Sequence, residues 1–298
     1  MARKLIYLIN PISGIREKNS LKDIIESKTK IAKLSYEILP TLVSGDYHFL
    51  EEKIDEEKIT DIVVCGGDGS VNQVVHALAH KPVNFGIIPL GSGNGLALAA
   101  NIPRNVDKAL EIIFTGKPKD VDGFMVNDQF ACMLCGLGFD ALVAHEFALQ
   151  TKRGLGAYAS LTTRRFFSAK GYSFFIQANK VSFKAEASFI SIANSNQFGN
   201  NFTIAPQALL ADGLLDIVIV KNVAKPLLLF NVVKQILTGR LQNVENSLNS
   251  PVIYFQTDEI TIKNTDDAPM HIDGEPRESM KSLKIKVLPK YFRLLQLG

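Results

Sequence analysis

The chain has 298 residues, 46% of them hydrophobic and 21% charged, with a formal net charge of +3. That length exceeds one ordinary core, so two domains are expected, and the composition is that of a common globular protein. The weak basicity suits an anionic ligand or lipid surface but argues against a nucleic-acid binder; no run approaches the ~18 apolar residues of a membrane span, and three cysteines make no disulfide framework.

KLIYLIN (4–10) reads as a first strand, because it is too short for a secretory signal and runs into Asn10-Pro11 without a cleavage site. The cytoplasm is therefore the expected compartment. DIVVC (61–65) and FGIIPL (85–90) read as further strands, and the three end in NPISG, GGDGS and GSGNG. Val71, Val74, Val75 and Leu78 recur at helical spacing. Val106, Ala109, Leu110 and Ile113 do the same, with Gly116 placed as a C-terminal cap. Strands alternating with helices imply a parallel sheet, whose ligand crevice lies outside the carboxyl ends of its strands. All three glycine-rich loops fall there.

After about residue 120 the texture changes. GFMVNDQFACMLCGLGF, YSFFIQANKVSFKAEASFISIAN, DGLLDIVIVK, VIYFQTDEITIKN and SLKIKVL are strand-like, with Asn-Asp, Asn-Lys and Asp-Gly turn signals. Helical patterning is confined to 141–168 and 225–238. The expected architecture is an α/β parallel-sheet nucleotide-binding domain over 1–121, followed over 122–298 by a mostly antiparallel β-sandwich. The last residues can return to the first domain. Cys132 and Cys135 fall on FACMLCGLG, read as one strand; three apart, they face opposite sides and are read as buried thiols rather than a metal or redox pair.

Within GGDGSVNQVV, a strand, a glycine turn and a helix start converge on one point, which makes an anion site suited to phosphate. It is not the dinucleotide fingerprint, since Asn72 stands where the third glycine belongs, and the chain has no Walker loop. Asp68 inside that turn calls for a cation or hydroxyl partner. Near the other end, MHIDGEP offers two carboxylates. As an extended segment it would put His271, Asp273 and Glu275 on one face; otherwise Asp273-Gly274 is a hairpin turn. His271 reads as a neighbour or core residue rather than a catalyst.

In order along the chain, NPISG (10–14), GGDGSVN (66–72), PLGSGNGLA (89–97), DGLLD (212–216) and IDGEP (272–276) resemble the diacylglycerol kinase catalytic-domain family, which groups bacterial lipid kinases with sphingosine and ceramide kinases. The GGDG turn alone is shared with NAD kinases and phosphofructokinases. The resemblance implies an ATP- and Mg²⁺-dependent lipid kinase. Asn10, Pro11, Ser13 and Gly14 would contact the nucleotide, with Arg16 or Lys18 near its phosphates and Thr41 close by. Gly66, Gly67, Asp68, Gly69, Ser70, Asn72 and Gln73 would wrap the phosphates. Ser92, Gly93 and Asn94 belong to the third loop, and Asp68 would hold magnesium through water. Asp273 and Glu275 would jointly supply the general base and a metal or water contact. Asp212, with backbone oxygens of Leu209 and Leu214, would form a second cation site of hard oxygen ligands.

Two positions depart from the family pattern: Gly95 replaces an acidic residue, and Gln73 stands where glutamate is common. The GSGN-x-LA form looks more like sphingosine kinases, so the resemblance leaves lipid identity open, with diacylglycerol or a sphingoid base as the expected acceptor class. Lys152, Arg153, Arg164, Arg165 and Lys170, set among Phe166, Phe167 and Tyr172, suit peripheral contact with an anionic membrane, and equally a solvated helix face over buried aromatics. Nothing in the sequence sets an oligomeric state. An NAD-kinase-like or other small-molecule kinase and a catalytically silent nucleotide- or lipid-binding regulator are the alternatives.

Overall fold

The computed structural model describes residues 3–11, 18–149, 170–197, 205–222 and 250–298. The chain divides into two compact units, Met1–Val121 with Lys290–Gly298, and Asp122–Pro289.

The first unit carries β1 (Lys4–Ile9), α1 (Lys18–Ile31), β2 (Ser35–Pro40), α2 (His48–Glu57), β3 (Asp61–Gly66), α3 (Asp68–Leu78), β4 (Asn84–Pro89), α4 (Gly95–Ala99) and α5 (Val106–Thr115). Its strands pair in parallel in the spatial order β2-β1-β3-β4. β3 is buried along its whole length, which is why DIVVC reads as an unbroken apolar run rather than an alternating one. The chain leaves β1 toward β2 on one side and returns to β3 on the other. That reversal makes a topological switch point between the carboxyl ends of β1 and β3.

At the opposite end of the sheet, Asp61 is fully buried and ties the amino ends together. Its carboxylate accepts from Arg3 Nε at 2.9 Å, Thr60 Oγ1 at 2.7 Å and Asn84 Nδ2 at 3.1 Å. Arg3 also donates to the Ile113 and Phe114 carbonyls at the end of α5. A buried carboxylate survives there because every contact is a donor.

β2 and α1 were not foreseen from the sequence. β2 is an edge strand of partly exposed residues, and α1 buries only Leu21, Ile25 and Thr29 among its described side chains. Neither pattern rises above its polar surroundings. Gly116 does stand at the C-cap of α5, but in extended conformation (φ −68°, ψ 166°) rather than left-handed. Glycine is needed for room, since a Cβ there would collide with the carbonyl oxygens of Ile112 and Gln296.

The second unit continues with β5 (Lys117–Val126), β6 (Gln129–Ala131), β7 (Leu134–Gly138), α6 (Phe139–Leu149), β8 (Tyr172–Ala178), β9 (Val181–Ala193), β10 (Leu215–Lys221), β11 (Val252–Thr257), β12 (Glu259–Asn264), β13 (Met270–Ile272), β14 (Glu275–Arg277) and β15 (Ser282–Gln296). The chain enters this unit within β5 and leaves it within β15, whose Leu294 pairs in parallel with Phe85 of β4 in the first unit's sheet.

Here the strands pair antiparallel: β14-β13-β7-β9-β8-β12-β15 in order, with β10 between β9 and β11. Alternation along β9 buries Phe183, Ala185 and Ala187 and exposes Ser182, Lys184 and Glu186. The buried set joins Phe124, Ile190, Ile217, Phe255 and Ile285 in one core. Asn179 and Lys180, both at positive φ, make the two-residue turn between β8 and β9.

FACMLCGLG is not one strand. β6 ends at Ala131 and β7 begins at Leu134, with Cys132 and Met133 bent out of the ladder toward a buried carboxylate. The remainder of the predicted 141–168 helix beyond α6, and the whole of 225–238, lie outside the described residues.

Candidate active site

In the first unit, three strand ends build the candidate phosphate site. At the end of β3, Gly67 is the N-cap of α3 in extended conformation and, being glycine, brings no side chain of its own to cap the helix. The amino end of α3 thus presents its backbone N–H groups and helix dipole beside the switch point. After β4 comes Leu90-Gly91-Ser92-Gly93-Asn94, leading into α4.

These two loops meet backbone to backbone. A Cβ on Gly91 would lie 2.6 Å from Gly67 Cα, and one on Gly67 would lie 3.1 Å from Gly91 Cα. Both glycines are therefore dictated by approach rather than by flexibility. Asn94, left-handed at φ 57°, clamps the loop by accepting the Gly91 N–H through Oδ1 (2.8 Å) and donating to its carbonyl through Nδ2 (2.6 Å). Arg104 holds the outer face, donating to the Ser92 and Gly93 carbonyls at 3.1 and 2.9 Å.

Several expected nucleotide contacts converge on this point. Asn10 Nδ2 donates to Ser70 Oγ at 2.8 Å. Thr41 follows β2 and is buried, and Gly45 of the same loop sits against the side chain of Gln73. Asp68 Oδ1 is 3.4 Å from the Leu96 N–H at the start of α4, and its other oxygen faces Gly93. Ser13, Gly14 and Arg16 lie outside the described residues, as does the Lys18 side chain.

In the second unit, the carboxylates of IDGEP depart from the extended-segment expectation. Asp273 (φ 49°) and Gly274 (φ 81°) form the two-residue turn of the β13–β14 hairpin, so His271, Asp273 and Glu275 do not lie along one strand face. Asp-Gly is the pair that turn prefers, since both residues need positive φ. The Asp273 carboxylate is buried and saturated with donors. Oδ1 accepts the Met133 and Leu134 N–H groups, each at 2.9 Å; Oδ2 accepts the Cys132 N–H at 2.9 Å and its thiol at 3.3 Å. This is what bends the chain between β6 and β7.

Glu275 stands past the turn with its side chain 46% exposed, and Arg277 Nη2 donates to its Oε2 at 3.2 Å. Of the two carboxylates, Glu275 is the one presented to solvent. The cysteines are all buried, and burial pushes the Cys65 and Cys135 thiols up, so neither is a nucleophile.

Two family models cover the chain: one described as the diacylglycerol kinase catalytic domain over residues 4–126, the other as the YegS C-terminal NAD kinase beta sandwich-like domain over 134–296. The chain belongs to the diacylglycerol kinase family. Among its relatives is a probable lipid kinase YegS-like of Pectobacterium atrosepticum, 30% identical over 253 residues, or 82% of this chain and 81% of that protein. A diacylglycerol kinase of Staphylococcus aureus is 26% identical over 290 residues, covering 92% and 87%. In fold, a diacylglycerol kinase from Bacillus anthracis matches with TM-score 0.75 at 19% identity, covering 99% of this chain and 97% of the other. A second structure from that organism reaches 0.82 at 22%, with the same coverage.

Membership makes the chain a phosphotransferase of the lipid kinase type, with ATP as the phosphate donor the kinase family implies. The Asp212 loop of this kinase precedes β10. Asp212 Oδ1 accepts the Leu214 N–H at 3.0 Å, and Gly213 donates to Oδ2 of buried Asp122 at 2.7 Å. Leu209 is 62% exposed. Burial and the Asp122 charge raise the Asp212 pKa; burial pushes nearby Asp216 up to about 6, although Tyr254 donates to it at 2.6 Å. Among the described residues no three His, Cys, Asp or Glu side chains gather as a metal set.

Sequence reasoning missed Gly91 as an obligatory contact and Arg104 as the clamp on the third loop. A lone arginine nine residues beyond a motif carries no pattern, whereas Gly91 stood inside the quoted GSGNG and only its partner was unknown. Gly91→Ala is expected to destabilise the kinase by about 1–3 kcal/mol and to raise the KM for ATP. A thermal melt and an ATP titration check both.

Proposed function

We propose that this kinase transfers the γ-phosphoryl group of Mg-ATP to a hydroxyl of a membrane lipid of the diacylglycerol or sphingoid-base type, with Glu275 as general base. The observation carrying the reading is the glycine-capped start of α3 at the β1–β3 switch point, beside two loops in contact at Gly67 and Gly91. A side chain on either glycine would push the two loops apart, and backbone amides at a helix start suit phosphate oxygens.

Asn10, Pro11, Ser13, Gly14 and Thr41, the stretch from Gly66 to Gln73, and Ser92 to Asn94 would hold the nucleotide. Asp68 would hold the Mg²⁺ of Mg-ATP through water. When bound, Mg-ATP supplies the transferable phosphoryl group and neutralises charge on it. Glu275 accepts the proton of the lipid hydroxyl on a carboxylate oxygen as the hydroxyl oxygen bonds to the γ-phosphorus and ADP leaves, and Arg277 fixes the orientation of the carboxylate. Asp273, its lone pairs occupied by backbone donors, maintains the turn that aims Glu275.

Purified protein with ATP, Mg²⁺ and vesicles containing diacylglycerol or sphingosine should yield a phosphorylated lipid, with NAD present as a competing acceptor. Phosphorylation of NAD alone would favour the NAD-kinase-like reading. Calorimetric ATP binding with no product from any acceptor would favour a silent regulator.

In this proposal the enzyme works in the cytoplasm, touches the bilayer peripherally through its lipid substrate and binds no nucleic acid. Among the described residues no helix is long and apolar enough to cross a membrane. The basic and aromatic residues at 152–167 lie outside those described. The second cation at Leu209, Asp212 and Leu214 is part of the same proposal, supported by the like charges of Asp122, Asp212 and Asp216 that a cation would offset. Mg²⁺ is then expected to raise the melting temperature of the wild type and to have a smaller effect on Asp212→Asn; equal shifts would remove this site.

A further inference from the structure

His271, the middle residue of β13, is 1% exposed. Its Nδ1 accepts the Gly274 N–H at 3.2 Å, so Nδ1 carries no proton. The ring proton of the neutral imidazole is therefore on Nε2. Nε2 lies 3.4 Å from Oδ2 of Asp140, itself only 7% exposed. Asp140 sits in the first turn of α6, where the helix dipole favours a negative charge, and its Oδ1 accepts the Ala141 N–H at 2.8 Å. Gly136 of β7 is in register with His271, and a Cβ there would collide with both Asp140 Oδ2 and His271 Nε2.

A glycine cleared of its side chain and a buried carboxylate are more than a packed core histidine requires. An aliphatic residue at 271 would fill β13 without either. We infer that Asp140 and His271 form a positioning pair for Glu275: the Asp140 charge, 3.4 Å from Nε2 but outside hydrogen-bond geometry, favours the proton on that nitrogen, and Nδ1 then holds Gly274, the residue that precedes Glu275. The two-residue turn is thereby fixed at both of its members, Asp273 from the β6–β7 bend and Gly274 from α6 through His271. The inference deepens the general-base reading and rests on it.

Two replacements separate the two ring nitrogens. His271→Asn places an amide oxygen near Nδ1, keeping an acceptor for Gly274 and giving up the reach to Asp140. His271→Gln reaches toward Asp140 and leaves Gly274 without its acceptor. In the lipid phosphorylation assay, His271→Gln is expected to lose about ten- to a hundredfold in kcat, with the KM for ATP unchanged. His271→Asn should retain most of the wild-type kcat. Equal kcat for the two variants, or losses that merely follow their melting temperatures, would overturn the inference.

Glu275→Gln in the same assay separates failures. If it turns over like wild type, the general-base reading is wrong; if it is inactive while both His271 variants are fully active, only the positioning role is. Should the variants fail to fold, nitrogen NMR of histidine-labelled wild-type protein decides: a His271 ring protonated on Nε2 with an accepting Nδ1 supports the pair, and a proton on Nδ1 overturns it.

Discussion

Glu275→Gln is expected to lower the turnover of lipid phosphorylation by about 10²–10⁴-fold, with the KM for ATP and the melting temperature close to wild type. Glutamine keeps the shape of the side chain and, through its amide oxygen, the contact from Arg277 Nη2. It loses the ability to take a proton. The side chain is 46% exposed on a three-residue strand, so little of the fold depends on it; substitutions at such positions usually stay within about 0.5 kcal/mol. The check is a Michaelis–Menten comparison on lipid vesicles beside a thermal melt. Retained turnover would mean that another group accepts the hydroxyl proton.

Asp273→Asn, two residues away, is expected to act on the fold first, destabilising it by about 2–4 kcal/mol. Asparagine tolerates positive φ as well as aspartate does, and Asn-Gly suits the same hairpin turn, so the backbone conformation is not what is lost. The hydrogen bonding is. Both oxygens of Asp273 receive backbone N–H groups, from Cys132 on one side and from Met133 and Leu134 on the other. An amide has one oxygen to offer, and its NH₂ would face a buried donor. The lost charge also weakens the bonds that remain. Turnover should fall as well, because the turn that carries Glu275 loses its anchor. Chemical denaturation separates the two effects: an unchanged unfolding free energy with abolished turnover would return Asp273 to the chemistry.

The contrast between these residues shows where the sequence was legible. The glycine loops could be read in place because a parallel sheet puts the carboxyl ends of its strands on one edge, whatever the connecting helices do. β3, wholly apolar, and the helical faces of α3 and α5 carried their own signal. IDGEP was legible as a pair of carboxylates but not as one buried in a turn and one exposed beyond it. That division needs Asp273 in a left-handed turn and the β6–β7 bend beneath it, a contact between residues about 140 apart in sequence. The same distance hid the His271–Asp140 pair, since GLGFDALVA and MHIDGEP meet only when β13 pairs with β7. Cys132 and Cys135 were correctly read as buried thiols, while the strand assumed to carry them is interrupted by that carboxylate.

Amide hydrogen exchange with a non-hydrolysable Mg-ATP analogue tests the nucleotide cradle most directly. The account predicts slowed exchange concentrated at Gly67 to Val71 and at Gly91 to Asn94, where the α3 amides and the contacting loop close on phosphate. Binding of the analogue with exchange in both stretches unchanged would contradict it.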